Sequence, residues 1–413
     1  MSHPSIKTIF PLLVGLAGFA QASPLSFMTA LELAEHQSPN LIANSAQIDA
    51  ARSSEIPAGA LPDPKVIAGV DNFPVSGAEA GHLQRDFMTA EKIGLMQEVP
   101  NTDKRRAREA VAAANVEIAN AQRLVARLTV RRNTALAWLD LYYLGKRNAL
   151  FEELNRENSI LADAVNAQLA GGRGQAADAV APKQEALQIA DRRDDLARDL
   201  AKAQASLRQL VGPNAQDGLL GDPPAFPVDP EHFHQHLHHH PEVLAFIAQT
   251  NKAEAEVREA RSRKKSDWSV ELAYQHRAPE FSDMVSVQFT LDLPISPATR
   301  QDPLIAAKQQ ELTRLDAERD GMLRDHTNEL ESTLADYTTL TRQLERARQT
   351  ALPLIEQKVA LQIASYQSGK GDLNAVLAAR KERIDQRMRI IEVEAQRTRA
   401  AAQLYYAYGD NAP

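Results

Sequence analysis

The same landmarks occur twice along this sequence, about 200 residues apart. Each half carries a proline near its start, a proline after a strand-like stretch, a glycine in a turn and a glycine at its end. These pairs are Pro39 with Pro241, Pro100 with Pro294, Gly172 with Gly369 and Gly212 with Gly409, at separations of 202, 194, 197 and 197 residues. Such recurrence is typical of tandem structural units. We therefore predict one repeat over residues 23–220 and a second over residues 241–413, joined by a Pro- and His-rich linker over residues 221–240.

Each repeat is predicted to contain a short helix, a pair of strands and a hairpin of two long helices that turns at a glycine. Small and apolar residues in the long helices alternate at spacings of four and three, the pattern of a coiled-coil seam. One seam consists of Ala107, Val111, Ala114, Ile118, Ala121, Val125 and Leu128, and the other of Leu340, Leu344, Ala347, Ala351 and Leu354. Helices over residues 103–169 and 300–367 would each be on the order of 100 Å long. Pro353 predicts a kink in the second, because proline removes a backbone hydrogen bond.

The strands alternate between apolar and polar residues. Residues 268–274 and 284–291 show this alternation clearly, and residues 66–70 and 93–97 show it less clearly. A soluble sandwich would alternate in the same way. However, two strands per repeat give four per chain, which is too few for a closed sheet, and an open sheet with an apolar outer face would aggregate. Three chains would supply twelve strands. We therefore predict a mainly α chain whose homotrimer forms a 12-stranded transmembrane β-barrel, apolar outside, continued by an α-helical tunnel.

The first residues have the features of a signal peptide. Lys7 precedes the apolar run of residues 9–20, and Ala20-Gln21-Ala22 matches the small residues at which a signal peptidase cuts. A membrane anchor is the alternative, but about twelve apolar residues fall short of the roughly twenty that span a bilayer as a helix. We predict a signal peptide over residues 1–22 and an exported mature chain.

Composition excludes several functions. The chain has no Cys, which excludes disulfides, thiolate metal sites, a cysteine nucleophile and lipidation of an N-terminal Cys. Its formal charge of −7 argues against a nucleic-acid partner. No nucleophile, metalloprotease or phosphate-loop motif is readable, and a GxGxxA string at residues 172–177 follows a helix instead of a strand, which disfavours dinucleotide binding. We predict that the protein is not an enzyme and has no cofactor.

A dense histidine tract lies between the repeats. Its six histidines are His232, His234, His236, His238, His239 and His240. Neutral imidazole binds zinc, copper and nickel, so the tract is a candidate metal-binding segment. The alternative is a solvated linker, because prolines flank the tract on both sides. The spacing of the histidines fixes no coordination geometry.

Two carboxylates lie near the predicted helix-hairpin turns. Asp178 follows Gly172 by six residues, on the returning helix, and Asp372 directly follows Gly371. In a trimer either residue would form a ring of three negative charges where the helices converge, with Arg173 as a basic partner. The alternative is the favourable placement of an acid near a helix N-terminus.

These features resemble the TolC family of outer-membrane efflux channels over essentially the whole mature chain. The resemblance is carried by the tandem repeats and by the tip sequence at residues 366–373, Tyr-Gln-Ser-Gly-Lys-Gly-Asp-Leu. Residues 61–65, Leu-Pro-Asp-Pro-Lys, and residues 93–100, Ile-Gly-Leu-Met-Gln-Glu-Val-Pro, look like the heavy-metal branch, the cobalt-zinc-cadmium and copper-silver exporters. The second-repeat acids of the family's tip are replaced by Ala375 and Ala378, so a family-type gate is not expected there.

The resemblance implies a passive conduit in the outer membrane of a Gram-negative bacterium that extends into the periplasm. It would receive heavy-metal cations from an inner-membrane resistance-nodulation-division (RND) pump through a periplasmic adaptor. The adaptor would dock at the hairpin tips, at Gly171, Gly172, Gly174, Gly369 and Gly371. Two alternatives remain: a channel for drugs or small organic molecules, and a soluble periplasmic coiled-coil adaptor.

Overall fold

A computed structural model of the chain describes residues 24–172, 176–212 and 218–409. The predicted signal peptide and the predicted tip residues Arg173 and Gly174 lie outside these ranges.

Both halves of the chain have the same order of principal elements. The first half contains β1 (Leu25–Ser26), α1 (Phe27–Gln37), α2 (Pro39–Glu55), β2 (Lys65–Asp71), β3 (Ala90–Val99), α3 (Thr102–Ala170), a 3-10 turn (Ala176–Ala179) and α4 (Ala181–Val211). The second contains β4 (Leu219–Leu220), α5 (Pro230–His236), a 3-10 turn (Leu237–His239), α6 (Pro241–Ser262), β5 (Trp268–Arg277), β6 (Met284–Leu291), α7 (Gln301–Arg346), a π-helical turn (Ala347–Ala351), α8 (Leu352–Gln367) and α9 (Leu373–Tyr408). The predicted mainly helical fold with strand pairs and long hairpins is confirmed.

The first coiled-coil seam packs as its spacing predicts. Helix α3 has 69 residues, which corresponds to about 100 Å. Ala121 of the seam packs in one cluster with Ala245 and Ala248 of α6. Ala119, two residues earlier and on another side of α3, packs with Ile48 of α2. Alanine at these positions lets the helix backbones approach closely, because it adds only a methyl group between them.

The second seam departs from its prediction near Pro353. Leu344 and Ala347 are buried against α9, but Leu354, which the heptad spacing places on the seam, is 60% exposed. Leu352 packs against the cluster instead. The π-helical turn over residues 347–351 adds a residue to the helical turn just before the proline, and this rotates the following residues away from the seam. The helix is thus irregular next to Pro353, where the kink stays a prediction, and Leu354 does not pack on the seam as predicted.

The strands form one antiparallel sheet with the order β2-β3-β5-β6, so strands from both repeats lie side by side. Strands β2 and β6 are its edges. Gly94 of β3 is required at the junction between the repeats, because a Cβ there would lie 2.8 Å from Cβ of Ala273 on β5. This close approach joins the two strand pairs into a single surface.

A carboxylate fixes the base of this sheet. Asp267, just before β5, accepts hydrogen bonds of 2.8 Å from both the backbone and the side-chain nitrogen of Asn101, the N-cap residue of α3. Lys104 Nζ lies 2.5 Å from the other carboxylate oxygen of Asp267. The start of the first long hairpin is thereby held beside the first strand of the second repeat.

An aromatic core lies where the helices of the two repeats meet. Trp138 of α3 is fully buried, and its indole nitrogen donates a hydrogen bond of 3.2 Å to the carbonyl of Leu25. Its ring contacts Phe27 edge-on and stacks on Tyr142. Phe226 joins the same core. Burial of such rings dominates core energetics, so this cluster anchors the otherwise slender hairpins.

Candidate functional site

One face of the four-stranded sheet is apolar and exposed. Directly opposed residues share a face, and the register aligns two apolar rows across all four strands. The rows are Val66, Leu95, Leu272 and Val287, and Ala68, Ile93, Tyr274 and Val285. The four residues of the first row are 54–70% exposed. The apolar face predicted from the alternation is therefore present, and within one chain it is uncovered.

The opposite face is small and polar. Gly94 and Ala273 lie on it, and Lys92 Nζ lies 2.5 Å from Glu271 Oε1. The side chains of Lys92 and Glu271 are only 16% and 13% exposed to solvent. The sheet thus separates an apolar side from a polar side on which opposite charges are paired.

The two long hairpins turn at the predicted glycines. Gly172 has φ +71° and donates to the carbonyl of Leu169 at 3.0 Å, and Gly369 has φ +75°. The nitrogens of Lys370 and Gly371 both donate to the carbonyl of Ser365, at 3.1 and 3.0 Å. Left-handed backbone angles favour glycine at the two positive-φ positions. Gly171 continues the first turn through a bond of 3.1 Å to the carbonyl of Ala167.

Gly371 is required for a different reason. A Cβ on it would lie 2.7 Å from Oγ of Ser365 and 3.0 Å from the carbonyl carbon of that residue. At Gly172 and Gly369, in contrast, a Cβ would meet no atom of the described residues within 4 Å. A larger side chain at these two positions would therefore strain the backbone and project from the tip without disturbing any packed neighbour.

The structure brings the two tip acids towards one tyrosine. Burial raises the pKa of Tyr366 on α8, and the negative charges of Asp178 and Asp372 raise it further. Asp178 was predicted on the returning helix, but it lies in the 3-10 turn that precedes α4, because α4 begins only at Ala181. Asp372 is the N-cap residue of α9, although its side chain makes no capping bond. Arg173, the predicted basic partner of Asp178, is outside the described residues.

A ladder of ion pairs connects the first hairpin to the second. On α3, Glu157 pairs with Arg383 and, at 3.3 Å, with Arg380 of α9. One turn away Glu153 pairs with Arg387. The spacing of the charged residues is a sequence signal for this ladder. Two acids four residues apart lie on one side of α3, and three arginines spaced by three and four residues lie on the facing side of α9. Sequence reasoning alone missed it because the two helices are more than 200 residues apart.

A groove runs beside this ladder between α3, α4 and α9. Leu154 and Ile189 line its floor, and Glu185, Gln188 and Lys381 line its rim. Burial raises the pKa of the Glu185 carboxyl, the nearby Arg380 lowers it and Glu157 raises it. One oxygen of Glu185 is buried and makes no hydrogen bond to the described residues.

The histidine tract does not form a single site. Its apolar residues Phe233 and Leu237 are buried against α7 and α9, so part of the segment is an ordered helical turn. His232 and His236 stack at 3.9 Å between ring centroids. The side chains of His234, His238 and His239 are exposed. His240 is buried apart from them, where it faces His326, a residue outside the tract.

Within the described part of the chain, none of the helices combines the length and the apolar character needed to cross a lipid bilayer.

Comparison with known proteins identifies the fold. A membrane protein from Pseudomonas aeruginosa superposes with a TM-score of 0.80 at 17% identity, covering 93% of this chain and 90% of that one. The outer membrane protein VceC from Vibrio cholerae gives 0.77 at 17% identity, over 93% and 96%. CusC, studied for transmembrane channel formation, gives 0.76 at 17% identity, over 93% and 92%. No curated protein sequence matches significantly.

The chain therefore has the fold of outer membrane efflux channels. Residues 233–410, which comprise most of the second repeat, match the outer membrane efflux protein family.

Proposed function

We propose that the protein is the outer-membrane channel of a tripartite efflux system in a Gram-negative bacterium. The observation that carries this proposal is the apolar face of the sheet, exposed at one end of two long helical hairpins. An exposed apolar face that extends over four strands is expected to be buried against a partner or lipid. Lipid suits aliphatic side chains such as Val66 and Val287.

The proposal requires a homotrimer. Strands β2 and β6 leave two open edges on each sheet, and open edges pair with other strands. Three sheets closed edge to edge would make a barrel of twelve strands, apolar outside and polar inside. The polar face with Lys92 and Glu271 would then face the lumen. A soluble periplasmic adaptor would share the hairpins but has no use for this exposed apolar face.

The hairpin tips are the proposed docking end. Gly171, Gly172, Gly369 and Gly371 form compact turns at the end of levers about 100 Å long, and a periplasmic adaptor would contact them end-on. Gly174 belongs to the same proposal and lies outside the described residues. Asp178 and Asp372 would form rings of negative charge near the threefold axis, where cations pass.

The proposed substrates are heavy-metal cations delivered by an inner-membrane RND pump. The supporting observations are the acids Asp178 and Asp372 near the tip, the net charge of −7 and the resemblance of residues 61–65 and 93–100 to the heavy-metal branch. Transport of drugs or small organic molecules is the competing assignment. Deleting the gene and measuring tolerance to zinc, copper and cadmium beside tolerance to dyes and antibiotics separates them: sensitivity to metals alone supports the metal assignment.

The trimer is testable with cysteine chemistry, because the native chain has no Cys. We would introduce Val66→Cys on β2 and Val287→Cys on β6 together, in membranes, and add a short bis-maleimide. These residues lie on opposite edges of one sheet, so a short linker joins them only between chains. A ladder up to trimer on denaturing gels is expected. Monomers alone, equal to those of the Val66→Cys single variant, would refute the closed trimer.

A further inference from the structure

Three potential metal ligands from two helices meet in the second half of the chain. His240 is the N-cap residue of α6, Glu242 lies in the first turn of that helix, and His326 is in α7. The donor atoms of the three side chains all lie within 4.8 Å of one another. Among the residues that the structure describes, this is the group of His and acidic side chains close enough to hold a metal ion.

The two histidines of the cluster are buried, whereas the side chain of Glu242 is 43% exposed. His240 and His326 keep 4% and 7% of their exposure, and their ring centroids are 4.1 Å apart. His326 Nε2 is buried and makes no hydrogen bond to the described residues. Glu242 Oε2 lies 3.2 Å from this nitrogen, as an ion-pair neighbour when the ring is protonated. A cation bound between the two would satisfy both the nitrogen and the carboxylate oxygen.

The spacing suits a small divalent cation. Zinc binds imidazole nitrogen and carboxylate oxygen at about 2.0–2.2 Å, so two ligands of a tetrahedral ion are separated by roughly 3.3–3.5 Å. The 3.2 Å between His326 Nε2 and Glu242 Oε2 is close to that value.

The surroundings position the ring of His326. Tyr408, at the end of α9, donates a hydrogen bond of 3.2 Å to the backbone carbonyl of His326. Glu329 Oε2 lies 3.9 Å from Nδ1 of the same ring. At this distance the carboxylate accepts no hydrogen bond from the ring, but its negative charge lies near the second nitrogen.

The first repeat lacks this donor set. Ser38 occupies the position that corresponds to His240, and its hydroxyl caps α2 by accepting from the nitrogen of Leu41. Asn40 corresponds to Glu242. His240 also caps its helix, through a long bond of 3.3 Å from the nitrogen of Glu242 to its Nδ1. A serine suffices for the cap, so the imidazole and the carboxylate are extra to it.

We propose that His240, Glu242 and His326 form a binding site for one divalent transition-metal ion of the zinc class, which fastens the start of α6 to α7. The site has three protein ligands and lies apart from the other five histidines of the tract. The proposal of this site does not depend on which substrate the channel conducts, because the test measures metal binding to the purified protein.

The test is calorimetric titration of the full-length protein in detergent, stripped with EDTA and dialysed, with zinc chloride. We expect one tight site per chain. His326→Gln preserves much of the side-chain volume and should weaken that site by at least about tenfold, since even outer-shell changes cost about 10–100-fold in metal affinity. The triple variant His234→Ser, His238→Ser and His239→Ser changes only exposed rings, and it should bind like the native chain.

Glu242→Gln is the second ligand variant and keeps the size of the side chain, so a folding failure of one variant does not decide the matter. Circular dichroism of each variant checks its helix content. Cobalt in place of zinc should give visible absorption bands typical of four-coordinate nitrogen and oxygen ligands, and His326→Gln should abolish them. Equal zinc affinity in His326→Gln and the native chain, or loss of binding only in the triple serine variant, would overturn the site. Absence of binding to the native chain would leave the cluster as a buried ion pair.

Discussion

The guanidinium of Arg387 on α9 donates two parallel hydrogen bonds of 2.8 Å to the carboxylate of Glu153 on α3. This fork-to-fork geometry is the strongest form of an exposed ion pair. It joins the first hairpin to the second about midway between the aromatic core around Trp138 and the tips. Together with the ion pairs of Glu157, this pair links α3 of the first hairpin to α9 of the second.

The first prediction measures this pair by a double-mutant cycle with Glu153→Gln and Arg387→Gln. A coupling of about 1 kcal/mol is expected, because both side chains are about a third exposed or more and water screens the pair. Thermal unfolding in detergent reports it. The matched control is Asp195→Asn with Arg198→Gln, a pair 68% and 57% exposed within one helix, whose coupling should be near zero. Equal couplings in both cycles would contradict the proposed role of the ladder.

The second prediction concerns Glu185, the half-buried acid of the groove. Burial raises the pKa of its carboxyl in the folded state, so the ionised form destabilises the fold above that pKa, and protonation relieves this cost as the pH falls. Glu185→Gln should therefore raise the free energy of unfolding by on the order of 1 kcal/mol at about pH 8. The gain should vanish near pH 4, where the carboxyl is largely neutral in both states. Glu331→Gln, on an exposed surface of α7, is the control. A gain independent of pH would show that ionisation is not the cause.

Short-range periodicity explains how much of the fold was predictable. The spacing of Ala107, Ala114 and Ala121 predicts the buried side of α3, and the alternation around Val287 predicts the apolar face of the sheet. Both signals depend on geometry repeated every few residues. The π-helical turn before Pro353 depends on how one helical turn accommodates a proline, and the spacing of the flanking residues does not record it.

The candidate sites were less predictable, because they depend on which distant segments meet. His240 belongs to an evident tract, yet its partner His326 is 86 residues away and lies within an ordinary amphipathic helix. The density of the tract predicts a site that includes exposed rings such as His234, which lie outside the three-residue cluster. Similarly, Glu153 and Arg387 are unremarkable in sequence and gain meaning only once α3 and α9 are adjacent.

The third prediction tests the apolar face. Phe289 is 73% exposed on β6, and Phe289→Asp would place a charge against lipid in the proposed barrel. The substitution should abolish detergent-stable trimers while leaving the helices of the monomer intact, because a carboxylate facing hydrocarbon costs several kcal/mol. Thr290, one residue further along β6, points to the opposite face beside Ser269, and Thr290→Asp should leave trimers unchanged. Size-exclusion chromatography with light scattering measures both. Identical behaviour of the two variants would refute the assignment of the faces.

The fourth prediction tests the tips. Gly369→Leu places a branched side chain at φ +75°, which costs about 1–2 kcal/mol of backbone strain and adds bulk where nothing is packed. Export should fail while the amount of trimer in the membrane is unchanged, and Gly172→Leu should behave alike. Gly321→Leu in the middle of α7 also fills open space, but at ordinary helical angles, and it should export normally. If cells carrying either tip variant tolerate metals, dyes and antibiotics as well as cells with the native chain, the adaptor does not dock through these turns.

The last prediction tests the proposed acidic ring at Asp178. This residue lies in the turn before α4. Its negative charge raises the pKa of Tyr366 on α8, so the charge acts on the other hairpin at the tip. In a narrow and partly desolvated aperture, three such charges raise the local concentration of cations, and Asp178→Asn should lower cation selectivity in planar bilayers. The effect should be greatest at low salt, because salt screens charges beyond about 10 Å at 0.1 M. Asp195→Asn removes an equal charge from an exposed position on α4, away from the turns, and should leave the reversal potential unchanged. If both variants shift the reversal potential equally, the effect is one of net charge; if neither does, Asp178 is only an acid near a helix end.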